Sequence, residues 1–233
     1  MQETRSSLKS LIPYLPFATV RNLATSDRMA RTESLRGGVL FVDAAGFTPL
    51  CVSLASGGQA GITALQEIMS RYYSGLLDFL REYGGVVYQF AGDSVLVGLR
   101  RATLTDRDGD GESDESAALR VARCAHEIQR AAESYREFSA LGETYTIQTK
   151  VGAAYGDYNV VLLGDRTTWL YPALLGPAVR SAVAAEVQAE AGQTILAPEL
   201  VSALPPGQIE TRPLANAAAT SSASSGDQFV QLL

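Results

Sequence analysis

The sequence predicts an α/β domain of the α+β kind, built on a ferredoxin-like βαββαβ core. Three observations carry that expectation. Gly37 to Asp43 is a continuous apolar run that ends in a carboxylate. A long stretch of helical periodicity follows it, and then two short β-prone runs flank Ala91-Gly92-Asp93. Strand, helix, hairpin, helix and strand in that order make the βαββαβ plan. With 233 residues and 46% apolar content, the chain suffices for one substantial core with an N-terminal extension.

Taken in order, residues 1–36 read as an arm, with Leu11, Ile12, Leu15 and Phe17 beside prolines, and residues 37–233 as the domain. Residues 37–43 read as a strand buried on both faces, where an aspartate is out of place unless something binds it. After a loop, Ile62, Leu65, Met69, Tyr72, Leu76 and Leu80 recur at three- and four-residue steps, and Gly84-Gly85 stops the helix, giving a span of about 59–83. Residues 86–90 and 94–97 form a tight hairpin, which puts Asp93 at a strand-to-strand turn. Residues 103–116 are acidic and polar and read as a mobile surface insert. Asp106, Asp108, Asp110 and Gly111 imitate the start of a calcium loop, but its twelfth position, normally a bidentate glutamate, is Ala117. Helical spacing returns over about 117–140. Tyr145 to Ala154 and Tyr158 to Leu163 read as strands paired around Gly156-Asp157, and Gly176 to Ala191 as a helix with Pro177 in its first turn. The Ala-Ser-Thr tract at 215–225 reads as a loop before a last strand, Gln228 to Leu232.

Composition narrows the chemistry. No run approaches the roughly 18 apolar residues of a membrane span and no secretion signal precedes the domain, so a cytoplasmic location is expected. A net charge of -6 repels polyanions, which argues against nucleic acid as a partner. His126 is the only histidine, which removes Ser-His-Asp, Cys-His and multi-histidine metal sites, and it reads as structural or exposed. Cys51 and Cys124 read as buried small hydrophobes. Lys9 and Lys150 are the only lysines, so charge recognition falls to arginine or metal.

In the expected topology the end of the first strand lies beside the central hairpin turn, so Asp43 and Asp93 converge. Two carboxylates make a hard-oxygen site that suits Mg²⁺ or Mn²⁺, which bind through one or two carboxylates and take further ligands from water and phosphates. The carbonyl of Ala44 is a candidate further ligand. Ala44, Ala45, Gly46, Phe47 and Thr48 follow as a small-residue turn whose backbone N–H groups can approach phosphate oxygens. The plain alternative is that Asp43 caps the next element and Asp93 is an ordinary turn aspartate.

Val-Leu-Phe-Val-Asp-Ala-Ala-Gly-Phe-Thr (39–48), Phe-Ala-Gly-Asp-Ser-Val-Leu-Val (90–97), Val-Gly-Ala-Ala-Tyr-Gly (151–156) and Leu-Gly-Pro-Ala-Val-Arg-Ser-Ala (175–182) resemble, in order, the motifs of class III adenylyl and guanylyl cyclases. The resemblance spans about residues 37–190. It is nearest to the N-terminal cyclase domain of bicarbonate-responsive soluble adenylyl cyclases. It implies a nucleotidyl cyclase fold that converts ATP to 3′,5′-cyclic AMP and pyrophosphate, with two metal ions held by Asp43 and Asp93. It also implies a second cyclase domain, in a homodimer or pseudo-heterodimer, because the site is shared across an interface. A diguanylate-cyclase-like reading is weak, since no Gly-Gly-Asp/Glu-Glu-Phe hairpin occurs at 91–95.

Three positions depart from the family pattern. Gln89 stands where adenylyl cyclases commonly carry a base-reading lysine, and its amide can bond either purine, so GTP remains a possible substrate. Arg180 stands where the ribose-orienting asparagine belongs, and Ala184 where the transition-state arginine belongs. Arg180 is either a solvated helix charge or an anion-binding group. The chain is therefore expected to supply the metal-binding half of a site, or else to be a catalytically silent module that binds nucleotide or a small anion.

Overall fold

A computed structural model describes residues 32–103, 111–165, 169–214 and 228–233. The chain forms β1 (Thr32–Ala45), α1 (Phe47–Ala55), α2 (Gly58–Glu82), β2 (Val86–Ala91), β3 (Ser94–Arg100), α3 (Asp114–Ser134), β4 (Glu137–Ala140), β5 (Glu143–Thr146), β6 (Gln148–Asp165), β7 (Trp169–Leu175), α4 (Pro177–Gln188), β8 (Thr194–Leu196), α5 (Pro198–Ala203), β9 (Thr211–Pro213) and β10 (Val230–Leu232). The main sheet runs β2-β3-β1-β6-β8-β10-β9, with β7 paired to β6, while β4 and β5 form a separate ribbon. Its first four strands are antiparallel in the ferredoxin-like order. The expected α+β plan is the observed one.

Residue alternation along β1 explains the layers. Leu40 and Val42 pack with α2 and α3 on one face, whereas Val39 and Phe41 pack on the other face with Ala178, Ala182 and Ala185 of α4. In α2, Ile68, Tyr72, Leu76 and Leu80 recur every four residues and make its buried stripe. Gly84, at φ 72, takes the left-handed position that ends it. In α3, Ser113 caps the N-terminus by accepting a 3.1 Å bond from the Ser116 N–H, and Asp114 and Glu115 sit in the first turn, where the helix dipole favours them. Gly152 allows α4 to lie directly on β6, because a Cβ there would collide with the Ala182 carbonyl.

Several boundaries differ from the sequence expectations. β1 begins at Thr32, so residues 32–36 of the expected arm belong to the sheet, and residues 1–31 lie outside the described residues. The loop before the long helix contains a helix of its own, α1. Asp114, Glu115 and Ser116 of the acidic insert open α3, while residues 104–110, with the calcium-like aspartates, lie outside the described residues. The helix expected to reach 140 stops at Ser134, since residues 137–140 pair with 143–146 as a ribbon. Gly156-Asp157 is no turn. β6 runs straight through it because the early start of β1 supplies Gly37 and Arg36 as partners, and the strand that pairs antiparallel with its second half is β7, absent from the sequence expectations. The 215–225 tract also falls outside the described residues, and the last strand forms at Val230–Leu232.

Candidate functional site

Asp43 makes the last pair of the β1–β3 ladder, opposite Ser94 on one side and Lys150 on the other. Ser94 is buried and its hydroxyl donates to Asp43 Oδ1 at 2.7 Å. That bond fixes one carboxylate oxygen and leaves the other free. Asp93 precedes Ser94 in a two-residue turn, where Gly92 at φ 65 permits the tight reversal. Both carboxylates thus sit at one end of the sheet, half-buried, on adjacent strands. Asp93 has no hydrogen-bond or ion-pair partner among the described residues.

The two tyrosines of α2 register both charges. Burial first, then the Asp93 and Asp43 carboxylates, push the Tyr73 phenol up to about 12. Tyr72 also rises to about 12, chiefly by burial, although its hydroxyl bonds Thr149 Oγ1 at 2.9 Å and that contact lowers it. The Tyr73 ring meets Tyr72 edge-on at 5.3 Å and Phe90 edge-on at 5.5 Å. Its hydroxyl oxygen is buried and has no hydrogen-bond partner among the described residues. Cys51 on α1 is raised by burial and next by Asp93, which brings α1 to the same end of the sheet. The expectation that Cys51 is buried is corrected to half-buried, whereas Cys124 is buried and His126 exposed.

The small-residue turn expected over 44–48 is instead a strand end and a helix start. Ala44 and Ala45 still pair with β6, opposite Thr149 and Gln148, but β3 has ended, so their other edge faces the hairpin turn without a ladder partner. Only Gly46, at φ 93, makes the turn, and Phe47 and Thr48 open α1. No side chain caps this helix, and Pro49 lacks an N–H, so its first turn offers the amides of Phe47 and Thr48. Gln89 follows a register shift in β2 and pairs with Leu96, which pairs with Phe41. Gln89 therefore shares a sheet face with Asp43, two rows away.

Arg180 is not brought into this group. It is exposed on α4, which packs over β6 and β1, and its guanidinium has no partner among the described residues. Ala184 is exposed on the same helix. The scarce lysine, Lys150, is held by the buried Glu186 of α4 at 2.5 Å. Ser94, Tyr73 and Lys150 were not singled out as site residues from the sequence. The Gly-Asp-Ser order was the one available signal, since Ser94 directly follows Asp93.

Among the described residues no three His, Cys, Asp or Glu side chains gather as a metal-binding group. The donors here are two carboxylates, one already oriented by a serine, which fits a cation of the Mg²⁺ type and not a closed zinc cage.

No protein-family model matches the chain. It is 28% identical over 166 residues to adenylate cyclase type 10 of Rattus norvegicus, and 27% identical over 164 residues to that of Homo sapiens, in each case across 70% of the chain. The chain spans about 9% of the length of those relatives. The adenylyl cyclase CyaB from P. aeruginosa superposes with a TM-score of 0.65 at 22% identity, over 87% of this chain and 95% of that one. A bacterial light-regulated adenylyl cyclase gives 0.69 at 18% identity, over 100% and 62%. The guanylate cyclase domain of RhGC from Catenaria anguillulae, in complex with GTP, gives 0.59 at 19% identity, over 86% and 97%. No helix among the described residues is long and apolar enough to cross a membrane.

Proposed function

We propose that this chain, which has the class III nucleotidyl cyclase fold, supplies the metal-binding half of a site that converts ATP to 3′,5′-cyclic AMP and pyrophosphate. One observation carries the reading. Asp43 and Asp93 meet at one end of the sheet, beside an uncapped helix start and on the face that bears Gln89. Either aspartate alone would be an ordinary cap or turn residue. Together they form an oxygen-donor pair facing two free backbone amides, which suits a cation-bound triphosphate.

Asp43, held by Ser94, and Asp93 would be the protein ligands of two Mg²⁺ or Mn²⁺ ions, with the Ala44 carbonyl a further donor. Such ions, when bound, supply Lewis acidity at the ribose 3′-hydroxyl and at the leaving pyrophosphate. The amides of Phe47 and Thr48 bind phosphate oxygens, and Ala45 and Gly46 keep that approach free of bulk. Gln89 hydrogen-bonds the base. Arg180 and Ala184 on α4 face a partner, so ribose and phosphate orientation fall to a second cyclase domain. The silent-module reading has one observation in its favour: α4 carries Arg180 and Ala184 where the orienting asparagine and the transition-state arginine belong.

Asp43→Ala and Asp93→Ala are expected to abolish Mn²⁺-dependent binding of a non-cyclisable ATP analogue, measured by calorimetric titration, with the fold intact. Neither side chain belongs to the core, so the unfolding midpoint of Asp93→Ala should stay close to wild type, while Asp43→Ala lowers it modestly by leaving the buried Ser94 hydroxyl without its acceptor. Unchanged affinity in both variants would end the metal assignment.

A further inference from the structure

The two carboxylates are unequally supported. Asp43 is oriented by the Ser94 hydroxyl at 2.7 Å, while Asp93 has no partner among the described residues. A carboxylate on a two-residue turn swings freely unless something holds it, and metal ligands are commonly fixed by a hydrogen bond from a group behind them. Near this turn, the Tyr73 hydroxyl is buried and unpartnered among the described residues. A buried hydroxyl without a partner is unfavourable by about 1–3 kcal/mol. The ring is locked in place by edge-on contacts with Tyr72 and with Phe90, three residues ahead of Asp93. Tyr72 is already committed to Thr149, and Tyr73 is not.

Resting on the metal reading above, we propose that Tyr73 is a positioning residue of the site: its hydroxyl donates a hydrogen bond to the Asp93 carboxylate in the cation-bound state, as Ser94 does for Asp43. A phenol hydroxyl carries one donor hydrogen and so can serve a carboxylate acceptor. Of the two carboxylates, Asp93 acts on it more strongly. The orphaned hydroxyl of the free protein is then a donor waiting for its acceptor.

The test uses the full chain with Mn²⁺ alone as the probe. Tyr73→Phe is expected to weaken Mn²⁺ binding about tenfold, while the metal-free unfolding midpoint stays level or rises, because an unsatisfied hydroxyl has gone. In an Asp93→Ala background the same change should weaken binding no further. Tyr72→Phe serves as the contrast, lowering stability through its lost Thr149 bond with little effect on Mn²⁺. Wild-type affinity in Tyr73→Phe overturns the proposal, as does a parallel fall in affinity and stability, which marks a merely structural ring. The outcomes separate the two readings, since Asp43→Ala without effect removes the metal site itself. A second measurement needs no Tyr73 variant. Mn²⁺ should shift the near-UV tyrosine absorption of wild type and not of Asp93→Ala, and the absence of that shift also overturns the proposal.

Discussion

At the scale of single residues, the base-reading position is the most informative departure. Under the proposed function, a lysine at position 89 would donate only, whereas the Gln89 amide both donates and accepts and so would meet the edge of either purine. Losing a dedicated reader removes on the order of 1–3 kcal/mol of selectivity. Competition binding should therefore show ATP and GTP within about a hundredfold of each other, roughly 2.7 kcal/mol. A larger preference would mean that another residue reads the base. Much of the candidate site is legible at this scale because a carboxylate closing an apolar strand is a local oddity, as is an aspartate in a hairpin turn. What could not be read were the residues that gain meaning only through cross-strand or interhelical contact. Ser94 follows Asp93 in sequence but acts on Asp43, and Tyr73 resembles any core tyrosine until its hydroxyl is seen to lack a partner.

Elements are joined by a few polar clasps, of which Arg120 is the densest. Its Nε and Nη2 donate to Glu112 at 2.9 and 2.8 Å, while Nη1 reaches the Tyr83 carbonyl and Nη2 the Arg100 carbonyl. One side chain thus ties α3 to the end of α2 and the end of β3, which sets the far end of the hairpin that carries Asp93. Burial pushes the Glu112 carboxyl up, but the Arg120 and Ala102 hydrogen bonds and the nearby arginine charges outweigh it, holding it below its ordinary 4.5. A depressed folded value means a contribution complete above pH 4.5 and lost as pH falls through the lowered folded value. Arg120→Met is expected to lower stability at neutral pH by about 2–4 kcal/mol and to weaken that acid dependence, of which the Ala102 hydrogen bond and Arg101 keep a part. Urea unfolding from pH 7 down to 3 checks both, and an unchanged midpoint would count against the clasp. The elements themselves were readable wherever a period persisted, as in α2 and α3. β6 was misread because Gly156-Asp157 has turn chemistry, and only the extension of β1 back to Thr32 overrides it with ladder partners. β7 escaped notice because its pairing depends on a strand that long.

For the whole molecule, the decisive fact is what α4 holds. It packs on the sheet face that also carries Asp43 and Gln89, yet it lies over β6 and β1 and presents Arg180 and Ala184 outward. Under the proposed function a partner's carboxylate pair would meet those residues. In a symmetric dimer of this chain both sites would then lack the orienting asparagine and the transition-state arginine. Loss of a charged donor to a transition state slows turnover on the order of 100- to 1,000-fold, and loss of the orienting group deepens the deficit. Cyclic AMP production by the purified chain with Mn²⁺ is accordingly expected to be marginal. Adding a complementary cyclase domain that bears both groups should raise it by at least the same factor, at equal protein and with dependence on Asp43. The rescue separates a half-site from a silent module, because a silent module stays inactive in the mixture. Robust turnover by the chain alone, lost in Asp43→Ala, would instead show that the half-site reading is wrong and that another residue supplies the missing charge, with Arg180, an exposed guanidinium with no partner among the described residues, the first to test.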